Sequence, residues 1–366
     1  MKVGILSIYD NENLGNKLQN YALQQTLLYY ADDVLTIKNK MSLPSLLERI
    51  KRQSPLAESV TANRLMGKHR KAKILRFDQQ YIHTSRRAYW YNKGVQRLKS
   101  GDCCDIYCAG SDQVWNPDLE RADMFNFLGF AQPEQTFSYA ASFGVDSIPT
   151  ECQQTVREGL RHMRHISVRE DAGKSIVLDL TGRMDAVVLP DPTLLLSARD
   201  WDQVASEPKQ KLPEKYILSF FLGEMSEERR VEIENKAYKL DCKVIELMDK
   251  NSPFYTCGPD EFLYMIRQAR FVCTDSFHAS VFSFLYGRPL AIFSRLGSGS
   301  NMGSRLATLC TKFSLEERLV QGDDLAPVPD EADYSAGWAA LEQERQRARD
   351  YLNEVFQQAK EAELCD

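Results

Sequence analysis

The sequence predicts an α/β protein of two consecutive Rossmann-like, doubly wound units facing a cleft, and three observations carry that expectation. Short apolar runs of strand length alternate with segments of helical spacing along nearly the whole chain. The run Val3 to Tyr9 lacks the in–out alternation of a half-exposed strand and reads as a parallel strand covered on both faces. One polar passage carrying Lys and Pro, Ser206 to Lys215, interrupts the alternation as a linker or domain edge would.

In the first unit, Val3 to Tyr9 is followed by Asn16 to Tyr30, where Leu18, Tyr21, Ala22, Gln25 and Leu28 recur near helical spacing. Further strands are predicted at Asp33 to Ile37, Asp105 to Gly110, Thr136 to Ser142, His165 to Glu170 and Ala186 to Pro192, with helices over roughly 150–163 and 171–178 and near Trp201. In the second unit the strands are Tyr216 to Gly223, Cys242 to Leu247, Arg270 to Asp275 and Pro289 to Ser294. Helices fall near 226–239, 259–269, 276–287 and 301–312, and a helix-favouring run from about 336 to 362 closes the chain. The expected organisation is an N-terminal domain over 1–205, a C-terminal domain over 206–330 and a terminal helix over 331–366.

The 43% apolar and 27% charged content of these 366 residues is that of a folded globular protein of two ordinary domains. No apolar run approaches the length of a membrane span, and Met1 leads into a strand without a signal-peptide pattern, so the chain is expected to be cytoplasmic. Nine scattered cysteines without CxxC knuckles fit reduced thiols, and no ligand set for a metal is found: His162 and His165 could share a helix face, but nothing completes a site. The net charge of −5 hides a basic stretch over about 49–99, read as a helical insertion, in which Arg64, Lys68, Arg70, Lys71, Lys73, Arg76, Arg86 and Arg87 greatly outnumber Glu58 and Asp78. Such a stretch, flanked by Tyr89, Trp90 and Tyr91, could make peripheral contact with the inner face of an anionic membrane, or be a solvated helical face. Nucleic acid is not expected, because no reader module accompanies the charge.

Three polar clusters sit where strands give way to helices, the place where α/β sheets bind ligands. In the first, Asp10, Asn11, Asn13, Asn16 and Gln19 offer the donors and acceptors that sugar hydroxyls need, or form a turn. The second, Ser111, Asp112, Gln113, Trp115 and Asn116, suggests a sugar ring lying on Trp115, with a core Trp as the competing reading. The third is Thr274, Asp275, Ser276 and His278, where a strand empties polar groups onto a helix N-terminus whose free N–H groups and dipole favour anions. His278 there is either a cap or core residue or a proton-transfer group. Neither GxGxxG nor GxxxxGK[ST] occurs, which removes the main support for NAD and P-loop readings.

Taken together, these segments resemble the polysaccharide pyruvyl transferase family. The residues that carry the resemblance are GILSIYDNENLGNKLQNYALQ at the start, AGSDQVWNP (109–117), SYAASFG (138–144), ISVRE (166–170), PDPTLLL (190–196), TDSFHASVFS (274–283) and SNMGSRLATLC (300–310). It departs at Ala279, where the family commonly has Gly. The resemblance implies a GT-B-like fold and transfer of the enolpyruvyl group of phosphoenolpyruvate, as co-substrate and with no cofactor, onto a sugar of a polysaccharide or its lipid-linked precursor, giving a pyruvate ketal and phosphate.

In that chemistry a carboxylate and a phosphate call for several cations, and Arg169, Arg295 and Arg305, with Ser276, are the candidate donor ligands in the C-terminal, donor-side region and at the strand end facing it. His278 is the candidate acid–base, with Asp275 orienting or charging it. The N-terminal, acceptor side would use Asn16, Gln19, Asp112, Gln113 and Asn116. Two rival functions remain open: a nucleotide-sugar glycosyltransferase, which would use the same cations on a diphosphate, and a non-catalytic glycan-binding relative.

Overall fold

The computed structural model describes residues 1–9, 13–40, 60–90, 97–297 and 303–363. The first half runs β1 (Lys2–Leu6), α1 (Leu14–Leu27), β2 (Asp33–Lys40), α2 (Val60–Tyr81), β3 (Thr84–Trp90), β4 (Ile106–Asp112), β5 (Thr136–Ala141), α3 (Thr150–His162), β6 (Ser167–Val168), α4 (Asp171–Thr181) and β7 (Val187–Val188). After α5 (Ala198–Asp202), 206–215 contains no helix or strand. The second half is β8 (Tyr216–Phe220), α6 (Glu227–Lys239), β9 (Lys243–Glu246), α7 (Pro259–Gln268), β10 (Phe271–Thr274), α8 (Phe277–Leu285), β11 (Leu290–Ile292) and α9 (Gly303–Phe313), and α10 (Ser335–Glu363) ends the chain.

Both sheets are parallel throughout, with orders β3-β2-β1-β4-β5-β6-β7 and β11-β10-β8-β9. In each, the chain reverses its direction of sheet growth once, between β1 and β4 in the first and between β8 and β10 in the second. Crevices open at the carboxyl ends of such strand pairs. The fold is GT-B-like, two Rossmann-like sheets with a site at those facing ends.

Local chemistry sets the two helices that matter most. Asn13 caps α1, its Oδ1 accepting the Asn16 N–H at 3.2 Å, and Ser276 caps α8. Every residue of α8 from Phe277 to Leu285 is buried, so this helix is enclosed on all sides in the interior.

The largest apolar cluster belongs to neither half alone. Leu14, Leu18 and Ala22 of α1 and Phe77 of α2 pack with Trp201, Phe262 of α7 and Phe282 of α8. Trp201 and Phe282 meet edge to face at 4.9 Å. Helix α10 adds a strap: Leu341 joins this shared cluster, while Ala348, Leu352, Val355 and Phe356 fill the core beneath Val3 and Ile5 of β1. The terminal helix is thus core material for the first sheet.

The basic stretch is only partly helical. Residues 41–59 and 91–96 lie outside the described residues, 60–81 form α2, and Thr84–Trp90 is the outermost strand of the sheet. That strand buries only Ser85 and Tyr89, and its two exposed arginines, Arg86 and Arg87, mask the strand pattern. Several cations of α2 pair with groups of the other half. Lys73 Nζ contacts both oxygens of Glu261 at 2.8 and 2.6 Å, Arg76 pairs with Asp260 at 3.3 Å, and Arg70 donates to the Tyr255 carbonyl at 2.8 Å. No helix among the described residues is long and apolar enough to cross a membrane.

Glu261 is nearly buried and Lys73 half-buried, so removing the cation leaves a carboxylate poorly solvated. Reversing charge at Arg70 and Lys73 together is expected to lower unfolding stability by about 2–4 kcal/mol while leaving co-sedimentation with anionic vesicles unchanged. Loss of vesicle binding with unchanged stability would return these two residues to the membrane reading.

Candidate active site

The facing carboxyl ends of the two sheets bring together side chains that are remote in sequence. From the first half come Gly15 and Asn16 on the first turn of α1, Ser111 and Asp112 ending β4, Arg169 and Glu170 just past β6, and Asp191 just past β7. From the second come Asp275 and His278 at the β10–α8 junction, Arg295 after β11 and Arg305 on α9. Asp112 has a positive φ of 73°, a conformation costly for a side chain other than Gly, and it turns the carboxylate into the crevice.

Arg169 is the centre of the arrangement. It is 4% exposed; its Nη2 donates to Ser111 Oγ at 2.5 Å and pairs with Asp191 Oδ2 at 2.8 Å, and its guanidinium lies 5.4 Å from the Phe277 ring centroid. Its Nε and Nη1 have no hydrogen-bond partner among the described residues. Asp191 is fixed on its other oxygen by the Thr193 N–H at 2.9 Å and hydroxyl at 2.6 Å. From that anchor its Oδ2 reaches across to His278 Nε2 at 3.7 Å, longer than a hydrogen bond. Gly15 presses against the other face of the imidazole: a Cβ there would stand 2.2 Å from His278 Nδ1, so any larger residue would push the ring away.

A second group completes the crevice. Asn16 Nδ2 donates to Asp112 Oδ2 at 3.0 Å, and Arg305 Nη1 lies 3.8 Å from Asp112 Oδ1. Burial resists ionisation of both Asp112 and Asp191, but the nearby cations outweigh it and hold both carboxyls below the usual range: Arg169 then Arg305 for Asp112, Arg169 then His278 for Asp191. Burial, followed by repulsion from Arg169, pushes the Arg305 guanidinium down to about 10. Two desolvated cations acting against each other form a site that an added anion would relieve.

The positions of the expected residues divide clearly. Arg169, Arg305, His278, Asn16 and Asp112 converge. Asp275 does not orient His278: its Oδ1 and Oδ2 accept the Leu222 and Gly223 N–H groups at 2.7 and 2.8 Å, and Arg295 donates to it at 3.3 Å, so Asp275 and Arg295 clamp the β8 loop to β10. Ser276 serves as the α8 cap, its Oγ accepting the Ala279 N–H. Gln19 is wholly buried and donates to Ser7 Oγ at 2.8 Å, which in turn donates to the Ser111 carbonyl at 3.0 Å; it supports the β4 end from beneath. Asn116 is likewise buried, and its Oδ1 accepts the Asp118 N–H at 2.8 Å. Trp115 is a core residue, fully buried, stacked on Phe127 at 4.9 Å and donating to the Asn126 carbonyl.

Ala279 packs without exposure inside the shared cluster, and the close backbone approach to His278 is made by Gly15. Asp10 and Asn11 of the first loop, and 298–302 of the Gly/Ser-rich segment, lie outside the described residues. Ser111 belongs to the second polar cluster of the sequence, whereas Asp191 and Gly15 are not among its candidate site residues. The available signal for Asp191 was its place in PDPTLLL, a segment that also reads as an Asp–Pro turn. No group of His, Cys, Asp and Glu suited to a metal ion is found among the described residues.

Two parallel sheets whose facing ends hold buried arginines beside buried carboxylates define a GT-B-like α/β fold. The polysaccharide pyruvyl transferase family model matches residues 13–296, and the chain belongs to that family, so it is a transferase. No curated protein matches it in sequence. Among solved structures it is similar to UDP-GlcNAc 2-epimerase from Neisseria meningitidis, with TM-score 0.44, 9% identity and coverage of 98% of this chain and 94% of that one. It is also similar to UDP-GlcNAc 2-epimerase from Methanocaldococcus jannaschii, with TM-score 0.40, 11% identity and 93% and 92% covered, and to MurG from Acinetobacter baumannii, with TM-score 0.34, 9% identity and 98% and 94% covered.

Because the carboxyl of Asp191 is held below its ordinary value of 3.8, its contribution to stability is full above that value and is lost as pH falls below it towards the native value. Asp191→Asn is therefore expected to cost about 3 kcal/mol at neutral pH, the scale for breaking a buried pair. In denaturant titrations across pH, the gap to wild type should narrow below about pH 4. A gap that stays constant down to strongly acidic pH would mean that the carboxylate charge is not what Arg169 and His278 respond to.

Proposed function

We propose that the chain transfers the enolpyruvyl group of phosphoenolpyruvate onto two hydroxyls of a sugar in a polysaccharide or its precursor, releasing phosphate. The observation that carries this reading is the open edge of Arg169. A guanidinium almost removed from water keeps Nε and Nη1 unengaged, while Nη2 is fixed by Ser111 and Asp191. Nε–H and the Nη1 hydrogens lie on different sides of the guanidinium, and each is free to give a charged hydrogen bond to a carboxylate or phosphate oxygen of the donor. Arg305 supplies the second cation that a doubly anionic donor needs.

His278 is the proposed acid. Its Nε2 faces the same crevice and makes no hydrogen bond, and the ring is held between Gly15 and Asp191, so a proton at Nε2 is aimed at the place where the donor's methylene carbon would lie. Protonation of that carbon leaves positive character at the carbon bearing the phosphate, which the sugar oxygens then attack. Asp275 and Arg295 act by fixing the β10–α8 junction that carries His278. On the acceptor side Asn16, Asp112, Gln113 and Asn116 are the proposed polar groups, and Gln19 supports the β4 end from the interior.

Isothermal titration tests the donor. Phosphoenolpyruvate is expected to bind, UDP and GDP are not, and Arg169→Ala should weaken phosphoenolpyruvate about 10- to 100-fold, corresponding to loss of charged hydrogen bonds worth roughly 1.5–3 kcal/mol. Tight binding of a nucleoside diphosphate without phosphoenolpyruvate would move the protein to glycosyl transfer.

A further inference from the structure

The ketal chemistry leaves one requirement without a residue: each attacking hydroxyl must lose a proton, and none of the groups assigned so far is a free carboxylate. Arg169 and Glu170 follow one another past β6 and diverge. Arg169 turns to the end of β4 and to Asp191, whereas Glu170 turns to the end of β5, where its Oε1 accepts the Ser142 hydroxyl at 2.7 Å. Glu170 is the N-cap residue of α4, yet its carboxylate makes no capping bond to that helix. It is 1% exposed, and Oε2 has no partner among the described residues. A buried carboxylate oxygen with nothing to accept is costly unless a ligand supplies a donor.

The surroundings suit a hydroxyl. The Ser142 Oγ that holds Glu170 also accepts the Gly144 N–H at 3.1 Å. Gly144 has a φ of 67°, and a Cβ on it would stand 2.3 Å from Gln113 Nε2 and 2.6 Å from Asn116 Nδ2. Both amide nitrogens are buried donors without an acceptor. Unsatisfied donors and an unsatisfied carboxylate around one glycine are what a polyhydroxylated ring pairs with, since each hydroxyl both gives and takes a hydrogen bond. Arg305, already beside Asp112, also feels the charge of Glu170, which places this cluster at the border of the proposed donor site.

We propose that Glu170 is the catalytic base that takes the acceptor's hydroxyl proton, with the sugar held by the Gln113 and Asn116 amides that pack on Gly144; this rests on the pyruvyl-transfer reading. As His278 gives its Nε2 proton to the donor methylene, the first hydroxyl oxygen bonds to the adjacent carbon and its proton passes to Glu170 Oε2. The carbon–oxygen bond to phosphate then breaks, and the phosphate leaves with that electron pair. The second hydroxyl closes the ketal, giving its proton to the departing phosphate, and Glu170 returns its proton to solvent as His278 regains one.

The test uses the full chain with phosphoenolpyruvate bound and a panel of methyl hexopyranosides of gluco, galacto and manno configuration. Sugar binding is read by saturation-transfer NMR, and transfer by sugar-dependent phosphate release. Glu170→Gln is expected to keep the phosphoenolpyruvate affinity within about threefold and to keep sugar binding, while transfer falls by about 100-fold or more, the range for a lost general base. Gly144→Ala, which leaves Glu170 in place, is expected to lose saturation transfer while still binding phosphoenolpyruvate. Transfer by Glu170→Gln within threefold of wild type would overturn the proposal, as would wild-type protein that binds phosphoenolpyruvate but no sugar of the panel, or Gly144→Ala that still binds sugar. Failure of wild type to bind phosphoenolpyruvate would instead overturn the pyruvyl-transfer reading itself.

Discussion

Arg169 and Asp191 form an ion pair with almost no access to water, 3% and 0% exposed at their side chains. Such a pair is a poor source of stability, because desolvating two charges offsets most of their attraction, although removing one partner is severely destabilising at about 3–5 kcal/mol. Its value here is positional. Asp191 is tied down by Thr193, Arg169 by Ser111, and the pair holds one guanidinium edge unengaged beside the imidazole of His278. A site prepared in this way needs little rearrangement when an anion arrives, which is how fixed dipoles and charges contribute most to catalysis.

The pair is useful only while the two halves stay in register. His278 rides on a helix buried on every side, and that helix is packed through Phe282 against Trp201 and the same cluster that contains α1. Gly15 at the start of α1 touches the imidazole directly. Helix α2 grips α7 through Lys73 and Arg76, and α10 spans from the shared cluster to the underside of the first sheet. Together these connections set the separation between Asp191 and His278.

Much of this was legible in the chain. Strands covered on both faces announce themselves as continuous apolar runs, which is why β4, β5 and β10 are placed within two residues at either end and β1 and β8 overrun by three at their carboxyl ends. The strand that escaped, β3, is at a sheet edge, buries two side chains and carries two adjacent arginines, so its period is hidden. That His278, Arg169, Arg305, Asn16 and Asp112 come together was legible because polar groups at strand ends stand out against apolar neighbours. Asp275 was given the wrong partner and Asp191 went unassigned for one reason: proximity along the sequence favours Asp275, three residues from His278, whereas the carboxylate that faces the ring lies 87 positions away in the other half. Trp115 follows its competing reading, a core residue that the fold needs in its interior.

The central claim is that the open edge of Arg169, beside His278, receives the anionic donor. A crystal structure of the wild-type protein with phosphoenolpyruvate tests it most directly. The account requires a carboxylate or phosphate oxygen within about 2.7–3.2 Å of Arg169 Nε or Nη1, with the methylene carbon turned towards His278 Nε2. Phosphoenolpyruvate bound elsewhere, with the Arg169 edge still unengaged, would contradict it.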